Sequence, residues 1–379
     1  MIALLKVTAG LALFTGAGAG LIGLIPGTEE NDGDPLHFGW CVLAGTALAA
    51  LLLHVPLALD GHIPHAAFLL AFCLSLVLAV GPGRAHVRRI GIARFFGLDL
   101  LYALPSWLRV VTLLLVLLAF SAALGPFVAW DERAIFGLKA RVLYHEGSVL
   151  GEAFRDTGYI HIHARYPLLV PLLEASLFTL KGSGDDRFLK LLFLLFSLSL
   201  ALVVAGEARR LHGPRAGGLW GALLLATPML IGPSEGRGMT AYADLPFAAF
   251  VTGATVLLGR AIDHPGSRDA LLAGLLLGAA LATKQEGAIW AMALGLALLV
   301  TLWRRTPART AGLARSAVTV AAPALLFLAL SLVARRWTPA PAWSERYSVV
   351  LSLAWLRQLG WRPVEIAPFV LRQLTNWKV

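Results

Sequence analysis

The chain has 379 residues, 58% hydrophobic and only 14% charged, with a formal net charge of +10. A soluble domain has no use for that much apolar surface; a polytopic membrane protein does, because lipid solvates the outside of its helices. The excess of basic residues is therefore read as an orientation signal in short loops and not as a nucleic-acid footprint. Cys41 and Cys73 both sit inside apolar runs, so they read as packing residues and not as a disulfide or metal framework.

A helix crossing roughly 30 Å of hydrocarbon needs about 20 apolar residues. In chain order the runs 3–25, 39–59, 64–82, 107–127, 188–207, 216–234, 245–261, 269–283, 287–303 and 316–334 qualify as candidates. They predict an all-α polytopic transmembrane helix bundle of about ten spanning helices. The first run lacks the organisation of a cleaved leader and reads as a retained helix. Residues 1–106 form an N-terminal group of helices with a basic loop, 107–334 a core, and 335–379 a tail.

The long segment 128–187 exceeds a simple connector. Its first part, 131–146, has Ile135, Leu138 and Val142 at helical spacing and Gly147 as a stop, with Lys139 interrupting that face. The run 167–180 is short and carries Glu174 near its middle, so a helix lying along the interface costs less than one that crosses. If it does not cross, one side of the membrane receives Arg84, Arg88, Arg89, Arg94, Arg209, Arg210, Arg215, Arg260, Arg268, Arg304, Arg305, Arg309 and Arg315. The opposite side then holds little beyond Arg237 and Lys284 in its short loops, a positive-inside pattern. The loop 128–187, the turn before Asp244, the turn at Lys284 and the N-terminus then share the outer side.

That side gathers the residues able to do chemistry. Asp131 has two readings: an N-cap for the helix after it, or a carboxylate base for an acceptor hydroxyl. Glu132 favours the positive end of the same helix. Asp244 and Pro246 open a spanning helix, again as a cap or as a second acidic group. Lys284 and Glu286 flank a turn; an i,i+2 pair shares no helical face, which favours separate partners over a local salt bridge. Glu235 and Arg237 sit in another outer turn. In "YIHIHARYP", His161 and His163 alternate with Ile and could hold zinc only with a third ligand that the spacing does not provide. Cations facing carboxylates at the bilayer edge suit a lipid-linked phosphate bearing a sugar.

The ordered set "WDERAIFGLKARVLYHEG", "RYPLLVPLLEASLF", "AYADLPFAAF" and "LATKQEGA" resembles the GT-C superfamily of integral-membrane glycosyltransferases. It is most like the family 39 type, which includes protein O-mannosyltransferases, lipid A aminoarabinose transferases and rhizobial core galacturonosyltransferases. The resemblance implies Asp131, Glu132 and Asp244 as catalytic residues, and Arg165, Tyr166, Arg237, Lys284 and Glu286 as substrate-binding. It implies a polyprenyl-phosphate sugar donor, a lipid, glycan or protein acceptor, and a bacterial inner membrane with the site facing outward. No metal ligand is assigned, and a divalent metal is left open as a cofactor. Two rival classes remain. A transporter or flippase calls for ionisable groups at mid-membrane in two related halves; a non-catalytic assembly subunit would be separated from an enzyme by assay.

Overall fold

The computed structural model describes residues 1–25, 38–155, 162–164, 166–232, 237–263, 267–304 and 307–338. Arg165, His161, Glu235 and the tail from 339 onward lie outside them. The bundle is built from α1 (Ile2–Leu24), α2 (Phe38–Asp60), α3 (His65–Ile90), α4 (Ser106–Ala123), α5 (Gly137–Glu146), α6 (Leu169–Lys181), α7 (Leu191–His212), α8 (Pro214–Leu225), α9 (Asp244–Asp263), α10 (Ser267–Thr283), α11 (Gly287–Arg304) and α12 (Pro307–Trp337), with shorter helical turns between them. No strand forms among the described residues; one isolated bridge joins His62 to Ser148.

Seven helices among the described residues are long and apolar enough to cross a membrane: α1, α2, α3, α4, α7, α9 and Gly312–Trp337 of α12. The other three predicted runs do not reach that length and apolarity over their described residues. The run 216–234 is cut when α8 stops at Leu225, and Pro228 starts a separate turn, Pro228–Ile231. The cause is proline's missing N–H and the extended backbone it imposes on its predecessor, here Thr227. Helix α10 has 17 residues and α11 has 18.

Close packing at the centre depends on glycine. Helices α1 and α2 run antiparallel and touch backbone to backbone: a Cβ on Gly18 would stand 1.8 Å from the Cys41 carbonyl oxygen, and one on Gly45 1.7 Å from that of Phe14. Small residues permit this approach, which suits helices that lack a hydrophobic drive to associate in lipid. Cys41 is buried at this crossing, as a packing residue should be; Cys73, by contrast, faces outward from α3, and both are free thiols. Helix α4 leaves Trp107, Val110, Leu114, Leu117 and Leu118 exposed, the surface lipid would cover.

The expected helix at 131–146 is present. A π-helical turn, Glu132–Phe136, leads into α5, which ends where Gly147 turns left-handed at φ 60°. Ile135 and Val142 are buried, and so is Lys139, which the spacing had marked as an interruption. Helix α6 differs from a helix lying open on an interface. It has 13 residues, too few to cross, yet Leu169 through Phe178 are buried on every face, packed among α5, α1, α2, α3 and α10. Weighing mid-bilayer against interface left out a third environment, the protein interior.

The bundle has two chemically distinct ends. At one, Asp99 pairs with Arg209, and Glu207 takes both Arg210 and Arg260, each at 2.6 Å. At the other, Lys6 of α1 donates to the Lys181 carbonyl at 3.1 Å, and the α2–α3 turn bonds the 147–149 segment. Helix α9 links the ends: Asp244 and Arg260 are 16 residues apart, about 24 Å of rise, close to the thickness of a bilayer core.

Candidate functional site

Glu132 organises the second end. Its side chain is wholly buried at the start of the 130–146 helical stretch. Oε1 accepts from the N–H groups of Val128 and Ala129, the latter at 2.6 Å, and pairs with Lys190 Nζ at 3.1 Å. Oε2 accepts from the N–H of Ala241 at 2.9 Å. One carboxylate thus satisfies the backbone that leads into the helix, as acidic groups do at helix starts, and also fastens that helix to α7 and to the segment preceding α9. Its donors surround it on both oxygens.

Asp131 stands beside it, half-buried, with helical backbone at φ −65° and ψ −33° and no side-chain capping bond. The capping reading of Asp131 therefore does not hold: an N-cap residue normally has an extended backbone, and its neighbour Glu132 serves the orphan N–H groups instead.

The other acidic group is held by a cation. Asp244 is the first residue of α9, and Lys284 Nζ lies 2.8 Å from its Oδ1 and 3.7 Å from Glu286 Oε1. The local Lys284–Glu286 pair corrects the expectation of wholly separate partners. Residues 284–286 form a turn between α10 and α11, so spacing rules for a helical face do not apply there. Partial burial of Lys284 works against its charge, but the hydrogen bond it donates to Asp244 and the charges of both carboxylates outweigh it and hold the ammonium above the usual lysine range. Arg237 is exposed in the turn before α9, its carbonyl accepting from the N–H of Thr240 at 2.9 Å.

Two bonds bring these segments together. Glu132–Ala241 joins the acidic loop to the turn before α9, and Asp244–Lys284 joins α9 to the turn after α10. Tyr166 borders the same loop: its ring stacks on His163 at 4.9 Å, and Lys139 Nζ stands 5.5 Å above it while donating to the His163 carbonyl at 2.7 Å. Arg141 pairs with Asp186, which also accepts from the Phe127 N–H at 3.3 Å, closing the base of the long loop. Among the described residues no group of three or more His, Cys, Asp or Glu could hold a metal ion.

Two participants were hidden or misread in the sequence. Lys190 stands at the start of an apolar run, and nothing local points to Glu132. Glu174 was visible as an acidic residue in an apolar helix, but its setting was not: it is fully buried, and neither oxygen has a hydrogen-bond partner among the described residues. Burial, then the negative charge of Glu132, hold its carboxyl well above the usual carboxylate range, with Arg141 opposing and Asp186 adding to the rise.

Residues 165–329, less than half of the chain, match the family model described as dolichyl-phosphate-mannose-protein mannosyltransferase. The matched segment is thus similar to a family of GT-C-type membrane glycosyltransferases. Neither the curated proteins nor the solved structures contain a match. The matched segment contains Tyr166, Arg237, Asp244, Lys284 and Glu286, while Asp131 and Glu132 lie upstream of it.

Proposed function

We propose that this protein transfers a sugar from a polyprenyl-phosphate donor to an acceptor hydroxyl, at the end of the bundle where the segments carrying Asp131, Asp244 and Lys284 meet. The observation that carries the reading is that junction. Three segments far apart in sequence, each with charged groups, are joined there by Glu132–Ala241 and Asp244–Lys284, and two of the three lie in the family-matched region. The distribution of arginines supports an outward-facing site; the membrane proposed is a bacterial inner membrane.

Asp131 is the candidate base. It would take the proton of the acceptor hydroxyl as the oxygen attacks the anomeric carbon. The anomeric C–O bond to phosphate breaks on the opposite side, its electron pair leaves with the lipid phosphate, and configuration inverts. Lys284 is the candidate group for the leaving phosphate, but its charge is already shared by two carboxylates. The donor phosphate must therefore compete with Asp244 for it, which makes Asp244 a positioning residue for the cation. Glu132 holds the Asp131 segment and is not proposed to touch substrate.

The test is to incubate membranes with a panel of polyprenyl-phosphate sugars and follow released lipid phosphate together with glycosylated product, for wild type and Asp131→Asn. Asn is nearly isosteric with Asp and keeps its hydrogen-bonding oxygen, so the substitution should leave the fold intact while lowering transfer by about 100-fold or more, the usual contribution of a general base. Near-full turnover in Asp131→Asn removes Asp131 from the chemistry. Movement of the intact donor across the membrane with no bond cleavage would favour a transporter.

A further inference from the structure

We infer that the groove between α1, the end of α3 and α7 is a binding site for an anionic glycerophospholipid, separate from the transfer site. The groove encloses about 940 Å³, at the upper end of the range for small-ligand pockets, and its wall is almost wholly apolar. Thr8 and Ala19 on α1, Leu194 on α7 and Phe120 on α4 mark its length, and Arg84 and Arg88 stand at one end. From Thr8 to Ala19 the α1 wall rises about 16 Å. That is close to half of a roughly 30 Å hydrocarbon core, so the groove has the reach of the acyl chains of one leaflet.

The charge says which lipid. Arg84 and Arg88 are one helical turn apart, both exposed, and both line the groove. Neither forms an ion pair with a described residue, unlike Arg209, Arg210 and Arg260 nearby in the bundle. Two guanidinium groups can grip a phosphodiester with paired hydrogen bonds, and their full charges outweigh the partial negative charge at the end of α3. Gly91, whose left-handed backbone at φ 83° ends that helix, also lines the groove and leaves space for a headgroup.

The position separates this lipid from a sugar donor. Helices α1 and α3 run parallel, with Gly23 against His86 at one end, while Lys6 reaches Lys181 at the other. The arginines therefore stand at the end opposite Asp131, and a donor with its phosphate at the transfer site would carry its headgroup away from them.

Native mass spectrometry of the purified full chain, offered equal phosphatidylglycerol and phosphatidylcholine, reads the site directly. Phosphatidylglycerol should be retained preferentially. Each cation near an anionic headgroup contributes roughly fivefold in affinity, so Arg84→Gln/Arg88→Gln should weaken retention by about 30-fold. Arg215→Gln, an exposed arginine that does not line the groove, should leave retention unchanged. Ala12→Phe narrows the groove without altering charge and should lower retention too. Equal retention of the two lipids, unchanged retention in the double variant, or preferential displacement by a polyprenyl phosphate each overturns the inference.

Discussion

The Glu132–Lys190 pair offers the sharpest separation of scaffold from chemistry. Glu132 is wholly buried and Lys190 is 6% exposed, at 3.1 Å. Removing one partner of such a pair leaves an uncompensated buried charge, at a cost of about 3–5 kcal/mol. Glu132→Ala also strands the N–H groups of Val128, Ala129 and Ala241, so it should fall at the upper end of that range. Glu132→Gln can keep one oxygen toward Val128 and Ala129, but it turns an amide donor against the N–H of Ala241, and should cost about 2–3 kcal/mol. Lys190→Met leaves the carboxylate with its three backbone donors and should cost less. The double variant Glu132→Gln/Lys190→Met should be more stable than the sum of the single losses predicts, by about 1–3 kcal/mol, as for residues in one network. Denaturant unfolding in detergent, followed by tryptophan fluorescence, measures the cycle; sugar transfer is assayed on the same preparations. Additive losses would mean the pair is not coupled. A wild-type unfolding midpoint in Glu132→Ala, with transfer abolished, would make Glu132 a catalytic group and refute the clamp.

Lys284→Met should lower stability by no more than about 1 kcal/mol, because Asp244 is 63% exposed and a solvated pair contributes little; its effect should appear as a raised KM for the donor, and an equal rise for the acceptor would contradict the phosphate role. Glu174→Leu should stabilise the fold at neutral pH by about 1–3 kcal/mol, the cost of an unpartnered buried polar group. The folded carboxyl is raised above its usual value of 4.5, so wild-type stability is complete below that pH and declines as pH rises toward the folded value. Unfolding midpoints across pH 4–8 should slope downward in wild type less Glu174→Leu, and parallel curves would show the carboxyl to be partnered. Gly45→Ala forces a methyl to within 1.7 Å of the Phe14 carbonyl and should destabilise by about 1–3 kcal/mol, visible as a lowered unfolding midpoint; tolerance would mean α1 and α2 separate readily.

Much of the architecture was legible along the chain because lipid imposes a one-dimensional rule. A helix that meets hydrocarbon must be apolar over its whole length, and the runs that became α1, α2, α3, α4, α7 and α9 satisfy it without reference to their neighbours. The helix at 131–146 and its glycine stop were equally local, since periodicity and a left-handed C-cap are properties of a few adjacent residues. The acidic residues at the site end could be picked out from their position beside apolar runs. Their roles could not. Glu132 and Asp131 are adjacent and chemically alike, yet one is encircled by donors, one of them an N–H 109 residues away, and the other makes no side-chain capping bond. Glu174 seemed to face a choice between bilayer and interface, and lies in the protein interior instead. Lys284 finds Asp244 40 residues back, and Lys190 finds Glu132. Hydrophobic pattern is written in spacings of three and four residues, whereas the partner of a buried charge is chosen by which helices pack side by side, and only the tertiary structure decides that.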